Sequence, residues 1–325
     1  MTQKPETTER SAADDLADAG PVGRSLWSDA VARLRRDRGA IICLGIIAVY
    51  ALIAIAGLAY EVAAEHIDWI PTFGETANYE MTNQAPSLRS LKALLGTDWS
   101  GKSVLLKTLL SVKTSLTVGL MANIIAVPLG MILGAIAGYY GGWIDDVIVW
   151  LYTTLASIPG IVLLIALKYA FKGKTPLGLD LSGIHGLYIA LAVVSWIGTC
   201  RLVRAEVMKI RELEYVLAAK AIGTPGIVIL LRHVLRNVSH IGIINFSLGF
   251  VGAIKAEVIL SYLSLGVPVG TPSWGSMINA ARMDLFTGRW WELTSAVTAM
   301  FFLVLALNIF GDRLRDALDP RLRNV

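Results

Sequence analysis

Charged residues leave long gaps in this sequence, and six of the gaps are long and apolar enough to form membrane helices. They contain no Asp, Glu, Lys or Arg and span residues 40–60, 114–144, 147–167, 181–200, 237–254 and 293–311. A helix needs roughly 20 apolar residues to cross about 30 Å of hydrocarbon. The fifth is the shortest, and we expect it to continue through Lys255 and Glu257 to about Leu265. The pattern predicts an all-α integral membrane protein with six transmembrane helices.

The composition agrees with a membrane protein. Of 325 residues, 55% are hydrophobic and only 17% are charged, which is too little charge to cover a soluble domain of this size. The net charge of +4 comes from residues that flank apolar runs, so we attribute it to membrane sorting and expect no nucleic-acid partner. Cys43, Cys200 and the four histidines lack metal or redox spacing, so we expect no metal site and no cofactor.

The basic residues predict how the six helices are oriented. Four arginines between positions 33 and 38 precede the first helix, and four more between 313 and 323 follow the sixth. Because basic residues favour the cytoplasmic side, we expect both termini and the segment between helices four and five in the cytoplasm. The outer loop at 61–113 carries five basic residues, but its length and its six acids make it weak evidence against this orientation.

The first apolar stretch could be a signal peptide, but the length of the segment before it favours a retained helix. That segment is 39 residues long, far longer than the basic region of a signal peptide, so we expect the helix at 40–60 to be retained. Residues 1–24 are polar and acidic and are predicted to be a disordered tail.

The cytoplasmic segment between helices four and five reads as two short helices with a tight break. The segment from Glu214 to Ile222 consists largely of residues that favour a helix. Glu214 places an acid in the first turn, where the helix dipole favours a negative charge. Gly223 suits the left-handed residue after a helix, while Thr224 can cap the next helix and Pro225 suits its first turn. Small residues at 218 and 219 would give the first helix a flat face for a groove on a partner protein. The alternative is an amphipathic helix lying on the membrane surface.

This segment resembles the EAA loop of ABC-importer permeases, in which Glu-Ala-Ala, three residues and Gly form a coupling helix that docks on the ATPase. The dipeptide, oligopeptide and nickel branch is the most similar. The matching residues are Glu214, Tyr215, Val216, Ala218, Ala219, Gly223, Arg232, His233, Leu235 and Asn237. Leu217 replaces a second acid of the motif, and Arg236 replaces a usual proline. The missing acid puts a specific ion pair with the ATPase in doubt.

Further motifs extend the resemblance over nearly all of the chain from Leu95 onward. They lie in the family's order, at 95–102, 138–145, 260–266, 272–276 and 308–321. The resemblance implies one added N-terminal helix and a five-helix type I importer permease core. The chain would divide into a cytoplasmic tail (1–39), a first transmembrane helix (40–60), an extracytoplasmic loop (61–113), a permease core (114–312) with its coupling loop (207–238), and a cytoplasmic tail (313–325).

The resemblance implies a non-catalytic subunit of the bacterial cytoplasmic membrane, embedded in lipid, that forms half of a pathway for di- or oligopeptides or a related solute such as a nickel complex. Its partners would be a homologous second permease, two ABC ATPase subunits that hydrolyse ATP, and an extracytoplasmic solute-binding protein. The loops at 61–113 and 264–291 would contact that binding protein. The alternative is a secondary transporter driven by an ion gradient, although we find no persuasive inverted repeat.

One nucleotide-binding motif is rejected. The residues from Gly96 to Ser103 satisfy the Walker A pattern, which binds phosphate where a strand joins a helix at the edge of a parallel sheet. Here it lies in a loop between two membrane helices, with no room for a nucleotide-binding domain. The chain is therefore expected to depend on a separate ATPase.

The pathway candidates are polar or helix-breaking residues inside the apolar stretches. Lys255 and Glu257 interrupt the fifth helix, and we predict that Glu257 faces the pore or the partner permease. The alternative is that both lie near the outer interface. Asn123 is a lesser candidate, and Pro159 weakens helix three enough to permit bending.

Three glycines in helix two repeat at four-residue spacing, at positions 130, 134 and 138. Small residues in this pattern let two membrane helices approach closely. Static packing and a gating role both remain open for them.

Overall fold

The computed structural model describes residues 26–88 and 90–318, within which the regular elements are helical. The tail at 1–24 and the end of the C-terminal motif, from 319, lie outside the described residues. The helices are α1 (Leu26–Arg36), α2 (Arg38–His66), α3 (Val104–Tyr140), α4 (Gly142–Ala156), α5 (Gly160–Phe171), α6 (Ile184–Ile210), α7 (Glu214–Ala221), α8 (Gly226–Tyr262), α9 (Trp274–Asp284) and α10 (Trp291–Leu318). A π turn at Leu230–Val234 lies inside α8. The all-α prediction is confirmed.

Five helices are long and apolar enough to cross a membrane, namely α2, α3, α6, α8 and α10. The third predicted crossing is not one straight helix, because α4 and α5 meet at an angle of 92°. Pro159 stands at the break with φ −53° and ψ 125°. A proline lacks the N–H of the helical ladder and restricts the residue before it, so the helix ends there. Counting the bent pair as one span gives the six expected crossings.

The helix ends differ from the boundaries expected from charge. α3 begins at Val104, ten residues before the apolar stretch, so the loop that precedes it ends at Ser103 and not at 113. Lys107 and Lys113 are accommodated inside the helix because each pairs with acids, Lys113 with Glu61. α8 likewise starts at Gly226, well before position 237. Paired or surface charges do not interrupt a helix.

α3 lies at the centre of the bundle and packs most closely against α6. Gly130, Gly134 and Gly138 face α6, and a Cβ added at any of them would lie 2.5–2.7 Å from a backbone carbonyl oxygen of that helix. The predicted close approach is therefore confirmed. α3 ends at Tyr140, and Gly141 and Gly142 turn the chain with φ of +65° and +56°.

The connectivity gives the bundle two ends. One end, called the α7 side, holds α7, the turn at Gly141, the start of α2 and the end of α10. The other end, called the loop side, holds the loop between α2 and α3 and the short helix α9. α2 lies at the edge of the bundle, with many exposed apolar side chains.

Candidate functional site

The segment with the coupling-helix pattern forms a short helix that joins two spanning helices. α7 begins at Glu214, which is exposed in its first turn. Gly223 adopts φ +80°, and its N–H donates to the carbonyl of Lys220 at 3.0 Å. The left-handed glycine after the helix is thus as predicted. Thr224 does not cap the next helix, because Pro225 holds the N-cap position and makes no side-chain cap bond.

One face of α7 anchors it to the bundle. Val216 is fully buried and belongs to an apolar cluster with residues of α6 and α8, including Val207, Ile229 and Val234. Ala219 packs against the same cluster, whereas Ala218 is exposed. The two alanines therefore do not form one flat face, since successive residues of a helix lie about 100° apart.

The outward surface of α7 is apolar, and sequence reasoning missed most of it. Leu213 and Leu217 are each 46% exposed, and Ile222 just after the helix is 83% exposed. With Ala218 they form a patch that we call the α7 apolar face. Leu217 stands where the motif usually has an acid, so the substitution extends this face. The apolar residues at positions 213 and 217 lie at helical spacing and the one at 222 follows the helix, and this pattern would have predicted the α7 apolar face.

Polar and ring contacts tie α7 to its neighbours. Asn237 Nδ2 donates to the Tyr215 hydroxyl at 2.5 Å, which joins α7 to α8. The Lys220 ammonium lies 5.2 Å from the ring centroid of Tyr139, near the end of α3. Arg211, just before α7, donates to the carbonyl of Gly138 at 3.1 Å. The end of the central helix is therefore contacted by one side chain of α7, Lys220, and by one side chain of the turn that precedes α7, Arg211.

An ion pair links the same region to the bent pair of helices. Arg204 of α6 donates two hydrogen bonds to Asp145 of α4, at 2.5 and 2.6 Å. The two parallel bonds fix both orientation and distance, as in other bidentate Arg–carboxylate pairs. Movement of the α7 end of α6 is thereby connected to α4.

Glu257 does not face the pore or a partner surface, contrary to the prediction. Its side chain is fully buried inside this subunit, where it accepts hydrogen bonds from Ser115 at 3.1 Å and Ser261 at 2.7 Å. The sequence could not show that two hydroxyls from α3 and α8 would satisfy it. Lys255, two residues earlier, is exposed and points away from this site.

The other pathway candidates lie apart from one another. Asn123 is buried and donates to the carbonyl of Gly119 at 2.8 Å, and its Oδ1 fills the space that a Cβ at Gly249 would need. Asn123 therefore serves the packing of α3 against α8. Pro159 is exposed at the break between α4 and α5. Among the described residues, no three His, Cys, Asp or Glu side chains form a metal-binding group.

The Walker A residues form a closed loop on the loop side. Asp98 Oδ1 accepts from the backbone N–H groups of Ser100 and Lys102, both at 2.9 Å. In a phosphate-binding loop such N–H groups point at the phosphate, whereas here a carboxylate of the chain itself occupies them. This geometry supports the rejection of nucleotide binding.

Asp98 also belongs to a buried triad that sequence reasoning missed. Lys107 of α3 pairs with Asp98 at 3.1 Å and with Glu292 of α10 at 2.6 Å, and all three side chains are at most 11% exposed. Burial opposes ionisation of Asp98, but Lys107 and the hydrogen bonds from Ser100 and Lys102 outweigh it and lower the pKa of Asp98. The triad fixes the loop to two spanning helices.

Comparison with known proteins agrees with this architecture. Residues 130–324 match the family described as "Binding-protein-dependent transport system inner membrane component", and residues 25–86 match the "N-terminal TM domain of oligopeptide transport permease C". The oligopeptide transport system permease protein OppC of Haemophilus influenzae is 32% identical, over 99% of this chain and 97% of that protein. The dipeptide transport system permease protein DppC of Bacillus subtilis is 36% identical, over 70% and 68%.

Two further similarities are weaker or less complete. The glutathione transport system permease protein GsiD of Pectobacterium atrosepticum is 33% identical, over 76% of this chain and 78% of that protein. Among solved structures, an inward-facing MetNI methionine ABC transporter covers 66% of this chain and 93% of its own, at 15% identity and a TM-score of 0.47. That structural likeness is too low to support an argument.

The chain belongs to the family of inner-membrane components of binding-protein-dependent transport systems. Within that family it is a transmembrane permease subunit of an ABC importer, of the oligopeptide and dipeptide type with an added N-terminal helix.

Proposed function

We propose that the α7 apolar face is the surface on which a separate ABC ATPase docks. The observation that carries the proposal is an exposed apolar patch on a helix that is itself held firmly by buried Val216. Exposed apolar patches of this kind mark interaction sites. The resemblance assigns coupling to the ATPase to five residues, and we keep that assignment for Glu214, Tyr215, Ala218, Ala219 and Gly223. Of these, Ala218 contributes to the contact, while Ala219 and Gly223 shape the helix and its end.

The proposed orientation follows from that contact. The α7 side faces the cytoplasm, so both termini lie there and the loop side faces outward. A homologous second permease completes the pathway, and one ATPase subunit docks beneath each permease. An extracytoplasmic solute-binding protein delivers the solute to the loops at 67–103 and 264–291. ATP hydrolysis belongs to the ATPase subunits, and this chain contributes the pathway.

The contacts of α7 suggest how force reaches the pathway. ATP binding draws the ATPase subunits together and displaces the α7 segments with them. Lys220 and Arg211 carry the displacement to the end of α3, through Tyr139 and the carbonyl of Gly138. The bond of Arg204 to Asp145 carries it to α4, and the break at Pro159 lets α4 and α5 change their angle. The pathway then turns from inward- to outward-facing.

We propose a small peptide as the solute. Relatives of this chain are named for oligopeptide, dipeptide and glutathione transport. All three solutes consist of amino acids joined by amide bonds, with charged ammonium and carboxylate groups. Lys255 remains a pathway candidate because it is exposed. The binding protein would supply most of the selectivity. A nickel complex remains a second solute class.

The docking surface is tested by replacing Ile222 with Asp in the assembled transporter. A charge in a desolvated apolar contact is costly, so we expect the ATPase subunit that docks on this chain to co-purify at less than about a tenth of the wild-type level. Met283→Asp is the matched control, because Met283 is also a largely exposed apolar residue, 65% exposed, but lies on the loop side. Undiminished co-purification with Ile222→Asp would overturn the docking surface.

The orientation is tested by labelling a single cysteine at position 222 or at 283 in right-side-out vesicles. Both native cysteines are buried. We expect an impermeant reagent to label position 283 and to spare position 222. The reverse pattern would overturn the orientation, and uptake that persists without ATPase subunits would favour an ion-gradient transporter.

A further inference from the structure

A small cavity lies between α1 and the end of α10, away from the coupling and pathway residues. Its volume is about 230 Å³, and it is lined by Arg33, Leu34, Asp37, Arg313, Asp316 and Ala317. Two lining side chains are guanidinium groups and two are carboxylates. The lining thus carries both signs of charge and no net charge. A complementary ligand presents an anion and a cation close together.

The cavity lies where the apolar surface of the bundle ends. Ile41 and Ile42 are exposed on α2 about one turn after Asp37. Leu305 is exposed on α10, eight residues before Arg313. Apolar surface therefore gives way to charge within roughly 12 Å along both helices. In a membrane-spanning bundle this is the level of the lipid headgroups.

The contacts of the lining residues decide which groups face the cavity. Asp37 is engaged, because its Oδ1 accepts from the N–H groups of Gly39 and Ala40 and its Oδ2 pairs with Arg313 at 3.3 Å. Arg313 is 52% exposed and approaches Asp37 through its Nη1, and a guanidinium carries five N–H donors in all. Asp316 is exposed and makes no ion pair with residues 26–88 or 90–318. An anion near Arg313 and a cation near Asp316 would complete the site.

We propose that this cavity binds the headgroup of phosphatidylethanolamine. The phosphate lies against the exposed guanidinium of Arg313, and the ammonium group donates to Asp316. Phosphatidylcholine offers the same charges, but its methylated nitrogen has no N–H donor and is wider. Phosphatidylglycerol offers the phosphate alone and leaves Asp316 without a cation. The site serves in either orientation of the chain, because headgroups line both faces of a bilayer.

The test measures which lipids the assembled transporter retains. The complex is placed in nanodiscs that contain equal amounts of two lipids with matched acyl chains, and the retained lipids are counted by native mass spectrometry. Phosphatidylethanolamine, its monomethyl and dimethyl derivatives and phosphatidylcholine form a series that removes N–H donors stepwise. We expect retention to fall along this series by roughly threefold in total, the size of one exposed ion pair.

Variants assign the preference to particular side chains. Asp316→Asn should bring the retention of phosphatidylethanolamine and phosphatidylcholine to about the same level, and Arg313→Gln should lower the retention of both. Asp284→Asn and Arg289→Gln are matched controls, because these residues form a comparable ion pair of 3.4 Å on the loop side. Both controls should keep the wild-type preference.

Three results would overturn the proposal. Equal retention of phosphatidylethanolamine and phosphatidylcholine by the wild-type complex would remove the ammonium contact, without reference to any variant. Preferred retention of phosphatidylglycerol would show that the cationic side of the cavity alone selects the lipid. An unchanged preference in Asp316→Asn would show that the selecting group lies elsewhere.

Discussion

The close approach of α3 and α6 makes Gly134 the most informative position for substitution. It is the middle one of three glycines that face α6, so separating the helices to fit a side chain there also opens at least one neighbouring glycine contact. An added Cβ would lie 2.5 Å from the carbonyl oxygen of Cys200 and 3.0 Å from the Cβ of Val203. Both contacts are to rigid parts of α6, one backbone and one β-branched side chain.

The geometry sets the expected size of the effect. The gap at Gly134 falls about 0.9 Å short of ordinary van der Waals contact, so Gly134→Ala must push the helices apart or bend one of them. Overpacking of this kind costs about 1–3 kcal/mol. The better helix propensity of alanine returns about 1 kcal/mol. We expect a net loss of about 0–2 kcal/mol in the free energy of unfolding, which is about 1–3 kcal/mol below an alanine variant that gains the propensity without the overpacking.

The measurement is equilibrium unfolding of the purified chain in mixed micelles, with increasing sodium dodecyl sulfate and detection by circular dichroism. Gly198→Ala is the control, because Gly198 lies on the exposed side of α6 and no atom lies within 4 Å of its added Cβ. The control should unfold at or above the wild-type midpoint. If Gly134→Ala matches the control, the helices are not in close contact at this position and the reasoning fails.

Three further predictions concern the loop side and the end of α7. Lys107→Met should lower the free energy of unfolding by about 3–5 kcal/mol because it leaves Asp98 and Glu292 buried without a cation. The double variant that adds Glu292→Gln should recover part of this loss in the same unfolding assay. Equal stability of the single and the double variant would contradict this explanation. The pKa of Asp98 is lowered in the folded state, so its contribution to stability is complete above about pH 4 and is lost as the pH falls through the folded pKa. The unfolding midpoint should therefore decrease as the pH is lowered through that range. Asp98→Asn should reduce this pH dependence. Gly223→Ala should destabilise the end of α7 by about 1–2 kcal/mol, because Gly223 has a positive φ that alanine adopts only at a cost. We expect to observe this as faster amide exchange in α7. Gly252→Ala should leave the exchange of α7 unchanged, because an added Cβ at Gly252 meets no atom within 4 Å.

The sequence alone determined the features that depend on short stretches of chain. The lengths of the apolar runs gave the spanning helices, and the pattern around Glu214 and Gly223 gave α7 and the left-handed residue after it. The glycine spacing in α3 gave the close approach to another helix. Helix formation, capping and helix-breaking by proline act within a few residues, so their signals are local. The break at Pro159 was anticipated as a weakness, though not as a bend of 92°.

Only the tertiary structure decided the features that join distant residues. Lys107 can lie inside α3 because Glu292, 185 residues away, meets it in the fold. Glu257 is satisfied inside the subunit because Ser115 of another helix faces it. The outward face of α7 was decided by which side Val216 buries. The local sequence around a charged or apolar side chain does not show whether that side chain is paired, buried or exposed. Only the packing between helices decides which of these environments it occupies.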